Sequence, residues 1–361
     1  MRILVISFFF VVFVSILGNR LFLSPDREGV QSLNIKKRIF PEYLYSIRNF
    51  IFYKLNISAD FSKVVVGRNG WLFLGDYYER VLTKSCQNTM SGDELNAWAD
   101  AFLKRQEMVE ANGSIFVTFI VPNKHSVYSH VLNIQKACST NDETDAIFEV
   151  GTHNGVKIFD LRGEVSNGRQ TFYKYDSHWN TLGAASAYDY ILDSINKMDR
   201  DLKLRRASYV LRESSEPSLR RTGNAKLLKI ENLIDLTGNV EYEISINNAG
   251  KEVSEYKFVK ANYTDKNFVK NISINDETNE SPELTLFENQ NAVNRATVLW
   301  LRDSFGSAHS HLINATFDKV YVIHYYWLAG PELENVIRQI KPQIVMQTVV
   351  ERQLRYEPLL H

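Results

Sequence analysis

The chain has 361 residues, of which 44% are hydrophobic and 23% charged, a composition typical of globular proteins with a substantial core. Lysine plus arginine and aspartate plus glutamate number 42 each, so the formal net charge is zero. This balance, with no basic stripe interleaved with aromatic residues, argues against nucleic acid as a partner. The length suits one large α/β domain or two smaller domains.

The N-terminus begins with Met1-Arg2, followed by an uninterrupted apolar run from Ile3 to Leu17. Such a run has the length of a signal-peptide core and is shorter than the roughly 20 residues of a comfortable membrane span. No small-x-small cleavage site is evident. We therefore expect residues 1–20 to form a signal anchor, with a removed signal peptide as the alternative, and the remainder to be exported.

After residues 21–60, which we interpret as a helical linker, the main domain is predicted to span 61–361. It opens with "VVVGRNGWLFLGD" (64–76), in which Asn69-Gly70 predicts a hairpin. A capping box at Ser91 starts a helix that Asn112-Gly113 ends. The apolar run "SIFVTFIVP" then has the character of a parallel strand covered on both faces.

Strands and helices continue to alternate along the chain, through the strand "VKIFDL", the helix "TLGAASAYDYILDSINKM" and, nearer the C-terminus, "ATVLWL", "DKVYVIHYY" and "QIVMQTVV". This alternation predicts an α/β fold with a doubly wound, mostly parallel sheet. Between about 200 and 295 the sequence becomes charged and asparagine-rich, with short alternating runs. We predict a β-rich insertion there.

The only cysteines are Cys86 and Cys138, and both lie in polar, loop-like sequence. An exported protein can hold a disulfide between them, although the two could equally lie too far apart to bond. The absence of C-x-x-C spacing argues against thiol redox chemistry and against a zinc ribbon.

Two polar clusters carry candidate chemistry, "YDSHWN" at 175–180 and "LRDSFGSA" at 301–308. Ser304 follows a predicted strand and opens a helix, where backbone N–H groups can stabilise an oxyanion. His178 is a candidate base for its hydroxyl, with Asp176 holding the imidazole. Taken singly, each motif has a structural alternative: Asp-Ser after a strand is commonly a helix cap, and Asp-x-His a turn.

Histidines elsewhere give little indication of a metal. His309 and His311 lie near Ser304, but no cysteine, aspartate or glutamate stands at matching ligand spacing beside them. We therefore predict no metal site.

Five stretches together give a more specific indication than any one motif. They are "GRNGWLFLGD" (67–76), "VPNKHSVY" (121–128), "YDSHWNTLGA" (175–184), "RDSFGSA" (302–308) and Glu351-Arg352. In these stretches and their order, the chain resembles the AlgX/AlgJ-type alginate O-acetyltransferases and their relatives, the DHHW group. That family has a fold similar to SGNH/GDSL hydrolases, with the aspartate and histidine preceding the serine.

The resemblance implies that Ser304 is the nucleophile, His178 the base and Asp176 its orienting carboxylate. Ser177 stands where a second histidine is common in the family, and Arg302 replaces the glycine of the better-known Gly-Asp-Ser block. Candidate residues for the acyl pocket, the oxyanion or sugar stacking are Arg302, Asn123, Lys124, Tyr175, Trp179 and Tyr326, with Tyr325 and Trp327 as further aromatic candidates.

The activity expected from the resemblance is O-acetylation of a secreted or cell-surface polysaccharide through an acyl-enzyme. It implies no cofactor and an acetyl group supplied by a membrane-bound O-acyltransferase partner. Together with the N-terminal apolar segment as an inner-membrane anchor, it leads us to expect a periplasmic or other extracytoplasmic location. Two alternatives remain open: a carbohydrate acetylesterase with the same triad, and a non-catalytic polysaccharide-binding subunit of an export complex.

Overall fold

The computed structural model describes residues 42–132, 142–166, 168–248, 251–252, 257–262, 272–273, 283–356 and 359. The predicted anchor at 1–20 and the first half of the predicted linker lie outside these residues. None of the helices in the described ranges is long and apolar enough to cross a lipid bilayer.

An eight-stranded sheet forms the centre of the molecule, with the strand order β4-β3-β13-β11-β12-β10-β8-β9. The strands, numbered along the chain, are β1 (Val64–Val66), β2 (Leu72–Leu74), β3 (Ile115–Val121), β4 (Ile158–Asp160), β5 (Tyr209–Glu213), β6 (Tyr242–Asn248), β7 (Lys251–Glu252), β8 (Lys257–Asn262), β9 (Ile272–Ser273), β10 (Glu283–Glu288), β11 (Asn294–Arg302), β12 (Phe317–His324) and β13 (Ile344–Val350). The first five strands in the sheet order are mutually parallel.

Helices connect the strands and cover the sheet. They are α1 (Glu42–Lys54), α2 (Val81–Lys84), α3 (Gly92–Ala111), α4 (Lys124–Val127), α5 (Glu143–His153), α6 (Arg162–Val165), α7 (Thr181–Met198), α8 (Gly223–Leu227), α9 (Ser310–Thr316) and α10 (Gly330–Ile340). Short 3-10 turns include Ser304–His309, Tyr325–Trp327 and Glu351–Gln353. The predicted capping box at Ser91 is present, and Gly113 follows α3 with φ 81°.

Both faces of the parallel strands are buried, which explains their continuous apolar sequence. In β3, Val117, Phe119 and Val121 pack into a core with α7 on one face. Phe116 and Ile120 face the other way, into a second core with α3 and α10. The predicted α/β fold with a mostly parallel sheet is therefore confirmed.

One edge of the sheet is antiparallel, because β10 pairs antiparallel with β12 and β8 pairs antiparallel with β10. These edge strands come from the segment predicted as a β-rich insertion, and so does the small β5-β6-β7 sheet. Part of the segment therefore continues the main sheet. The domain boundaries themselves stay a prediction.

The predicted hairpin is present: β1 and β2 pair antiparallel around Asn69 and Gly70, both at positive φ. Helix α1 packs against it through Tyr53, which is buried and shares a core with Val64 and Leu72. The described end of the predicted linker is thus attached to the domain.

Candidate active site

The carboxyl ends of the parallel strands meet at one edge of the sheet, where ligands of open α/β sheets commonly bind. The chain after β11 carries Ser304, and the chain after β3 carries Asn123 and Lys124. Glu351 and Arg352 follow β13, and the loop after β4 leads to His178.

The side chain of Ser304 is exposed, on a turn that the hydrogen bonds of the neighbouring Asp303 stabilise. The preceding residue, Asp303, is 3% exposed, and its Oδ1 accepts a hydrogen bond from Phe305 N at 2.9 Å. Its Oδ2 accepts another from Val350 N at 3.0 Å. Of the Asp-Ser pair, the aspartate therefore serves as the structural cap, which leaves the serine hydroxyl to face solvent.

Asp176 and His178 occupy the tip of a tight hairpin closed by a bridge between Phe172 and Trp179. The backbone N–H of Tyr173 donates to His178 O at 3.2 Å. Asp176 Oδ1 lies 2.6 Å from His178 Nδ1 and 3.0 Å from His178 N. Its Oδ2 accepts from Gly223 N at 2.8 Å. The carboxylate is thereby fixed on both oxygens.

Burial of Asp176 opposes its ionisation, but the hydrogen bonds and charge of His178, with the Gly223 N–H, hold its pKa well below the usual range. An ionised carboxylate only accepts hydrogen bonds, so His178 Nδ1 is the donor. His178 Nε2 then lies 2.8 Å from Ser304 Oγ as the acceptor of the hydroxyl proton. The structure thus brings the three predicted residues into one hydrogen-bonded chain, across 126 residues of sequence.

Two aromatic side chains join the hairpin to the serine turn. The His178 ring packs against Phe305 with centroids 4.7 Å apart. Trp179 Nε1 donates to Phe305 O at 2.8 Å, and the Trp179 ring meets His309 edge to face. His309 itself is fully buried and its Nε2 donates to Ala184 O, so it is a core histidine.

Several predicted pocket residues lie elsewhere than expected. Asn123 and Lys124 are each 2% exposed, and Tyr175 and Trp179 are buried at 3% and 1%. Because these four side chains are enclosed by protein, their assignment to an open acyl pocket or sugar-stacking surface is wrong. Tyr175 instead donates to Asp235 O, and Asn123 Oδ1 accepts from Arg352 Nη1.

Tyr325 is also fully buried and therefore offers no stacking surface, whereas the other three candidates are more accessible. Arg302 Nη1 donates to Asp303 O and to Ser307 Oγ, both at 3.0 Å, so this guanidinium is directed along its own segment. Tyr326 is half-buried and bonded to Gln353. Trp327 is 44% exposed.

Sequence reasoning missed Arg352 as a site residue, although its dipeptide with Glu351 contributed to the resemblance. Its guanidinium lies over the Phe305 ring, 5.4 Å from the centroid. Gly223, whose N–H binds Asp176, was also missed, since nothing in its local sequence marks it. Among the described residues, no group of three or more potential metal ligands lies together.

Cys86 is disulfide-bonded. The one other cysteine in the sequence, Cys138, lies outside the described residues. The pairing of the two stays a prediction.

Known protein families and solved structures share features with this chain. Residues 64–237 match the family model of the SGNH hydrolase-like domain of acetyltransferase AlgX. Among curated proteins, none matches the chain in sequence.

Solved structures with a similar fold include three bacterial proteins. Bacillus cereus PatB1 has 16% identity and a TM-score of 0.56, covering 82% of this chain and 98% of its own. The O-acetyltransferase domain of Pseudomonas putida AlgJ has 18% identity and a TM-score of 0.51, covering 82% and 93%. A DHHW family protein from Eubacterium siraeum has 15% identity and a TM-score of 0.52, covering 82% and 92%. At these identities the likenesses show the fold.

Over residues 64–237 the chain is therefore similar to the SGNH hydrolase-like domain of acetyltransferase AlgX, which confirms the resemblance found in its sequence. This match supports an acyltransferase of the SGNH type.

Proposed function

We propose that this chain transfers an acetyl group to a hydroxyl of a secreted or cell-surface polysaccharide through an acetyl-enzyme on Ser304. The observation that carries the proposal is the continuous Asp176–His178–Ser304 hydrogen-bonded chain, at a solvent-exposed serine on the carboxyl edge of the sheet. The relatives named for O-acetyl transfer supply the reaction class.

In the first step, His178 Nε2 takes the Ser304 proton as Oγ attacks the acetyl carbonyl of the donor. The backbone N–H of Ser304, at the start of the serine turn, stabilises the oxyanion. The donor's leaving group departs with the proton from His178, and an acetyl ester of Ser304 remains. Asp176 holds the imidazole and stabilises its positive charge meanwhile.

In the second step, His178 removes the proton of a sugar hydroxyl, which attacks the acetyl-enzyme. The new ester forms as the bond to Ser304 Oγ breaks, and the serine recovers its proton from His178. Water can attack by the same route, because Ser304 is exposed. Acetylesterase activity is therefore the second candidate function.

We place the reaction outside the cytoplasm, with the acetyl group supplied by a membrane-bound O-acyltransferase partner rather than by a cofactor of this chain. The disulfide-bonded Cys86 supports an oxidising compartment. A polymer acceptor suits an accessible serine on a sheet edge.

The test uses the full chain with p-nitrophenyl acetate as donor and neutral and acidic oligosaccharides as acceptors. Ser304→Ala and His178→Ala should each lower turnover by about 10⁴-fold or more. Ser310→Ala, a change of the same type in the adjoining helix, should leave turnover unchanged. Turnover at the wild-type level in either triad variant would show the assignment to be wrong.

Product analysis in the same reaction separates the two candidate functions. Acetylated oligosaccharide forming faster than free acetate supports the transferase. Acetate release that no acceptor suppresses supports the esterase.

A further inference from the structure

We infer that Lys124 is a positioning residue that shapes the tip of the hairpin carrying Asp176 and His178. This inference rests on the proposed function, because it assigns Lys124 a role in the same reaction. The geometry that carries it lies wholly within the described residues.

Lys124 begins α4, directly after β3, and its side chain is enclosed by protein. From there Nζ reaches the hairpin, more than 45 residues further along the chain. It donates to Tyr173 O at 2.9 Å, to Lys174 O at 3.3 Å and to Asp176 O at 2.5 Å. One ammonium group therefore holds three backbone carbonyls within four residues.

The charge state of Lys124 follows from its partners. A backbone carbonyl can only accept hydrogen bonds, and only a protonated amine offers three N–H donors. Burial lowers the pKa of Lys124 to about 7, whereas the Asp176 carboxylate acts in the opposite direction. The faces of Trp71 and Phe73, with centroids 5.5 and 5.2 Å from Nζ, further stabilise the cation.

These bonds determine the backbone shape of the hairpin tip. In an extended strand successive carbonyls point in opposite directions, whereas here the carbonyls of residues 173, 174 and 176 converge on one point. Without a cation between them, three converging carbonyl dipoles repel. The carbonyl of Asp176 is one of the three, so Lys124 fixes the backbone from which the Asp176 side chain reaches His178.

Lys124 cannot take part in the chemistry directly. Its Nζ has three acceptors for three N–H groups, and the residue is 2% exposed. An acyl group on Ser304 is therefore out of its reach, and its effect passes through Asp176. Removing it should slow the chemical step without weakening substrate binding.

The experiment compares wild type with Lys124→Met and Lys124→Gln, using phenylmethylsulfonyl fluoride to label Ser304 in the full chain. We expect Lys124→Met to lower the labelling rate and kcat about 100-fold, with the same final extent of labelling and unchanged KM for p-nitrophenyl acetate. A purely structural role would lower the final extent instead. Lys124→Gln keeps two N–H donors and should give an intermediate rate.

Arg105→Met is the matched control. Arg105 is also a buried cation, 5% exposed, and its Nη1 donates to Gln347 Oε1 in the core. This variant should melt at a lower temperature than wild type yet label at the wild-type rate.

A double-mutant cycle tests whether Lys124 acts through Asp176. In an Asp176→Asn background, Lys124→Met should slow labelling by less than about threefold. A multiplicative loss would overturn the inference, and so would a wild-type labelling rate in either Lys124 variant. If Lys124→Met does not fold, Lys124→Gln decides by the same comparison. Labelling that persists in Ser304→Ala would instead contradict the proposed function.

Discussion

Two buried histidines, His309 and His125, should make the stability of the folded protein depend on pH in the acidic range. Burial lowers the pKa of His309 to about 4 and that of His125 to about 3, from an ordinary value of 6.5. Between these values and 6.5 the unfolded chain binds protons that the folded chain does not. Stability should therefore fall as the pH drops below about 6.5, by up to about 1.4 kcal/mol per pH unit for each histidine.

His309→Gln tests this assignment, because the amide can still donate to Ala184 O and does not titrate. We expect urea unfolding between pH 6.5 and 4 to show a shallower loss of stability in this variant than in wild type. His311→Gln, a change at an exposed position two residues away, is the control and should keep the wild-type slope. Equal slopes in all three proteins would contradict the prediction.

At the residue scale, motif chemistry predicted the three residues that the structure brings together, since Asp-x-His and a serine after a strand are recognisable in sequence. Burial was the part that could not be predicted. Lys124 and Trp179 both lie in the recognised motifs and both carry a polar group at the end of a long side chain. The sequence does not show whether such a side chain faces a ligand pocket or hydrogen-bonds to the backbone of the protein itself. Gly223 contributes only its N–H, which any non-proline residue has.

At the scale of elements, the close packing of the start of α8 against the hairpin tip predicts that Gly223 does not tolerate a side chain. A Cβ on Gly223 would lie 2.7 Å from Asp176 Oδ2, the same oxygen that Gly223 N binds. Gly223→Ala should therefore displace the carboxylate and lower kcat about 10-fold to 100-fold.

The matched control is Gly163→Ala in α6, where an added Cβ meets nothing within 4 Å. It should keep wild-type kcat and gain slightly in melting temperature from the better helix propensity of alanine. Ester turnover and thermal melts measure both variants. Unchanged kcat in Gly223→Ala would show that the carboxylate tolerates displacement.

The bounds of helices and strands could be predicted where the sequence contains a clear capping residue or a clear apolar pattern. The helix expected at "TLGAASAYDYILDSINKM" has those bounds, because Asn180 caps it by accepting from Gly183 N. The strand expected at "VKIFDL" is shorter, Ile158–Asp160. The pairing of β10 with β12 was not predictable, since short alternating runs fix a strand but not its neighbour.

At the scale of the whole molecule, the disulfide of Cys86 should matter for stability more than for chemistry. Cross-linking a long loop restricts the unfolded chain, which typically contributes about 3–4 kcal/mol. Cys86→Ser and Cys138→Ser should each lower the free energy of unfolding by that amount, and the double variant should lose no more. Urea titrations with and without reductant measure it, and wild-type stability under reductant would contradict it.

The order of strands in the large sheet has a consequence for biogenesis. β13, the last strand to be synthesised, lies between β3 and β11, which both precede it in the chain. Since synthesis runs from the N-terminus, a chain that ends before β13 has the strands on both sides of this position but not the strand that joins them. His178 follows β4 on one side and Ser304 follows β11 on the other, so we expect the nascent protein to be inactive until β13 has paired with both neighbours.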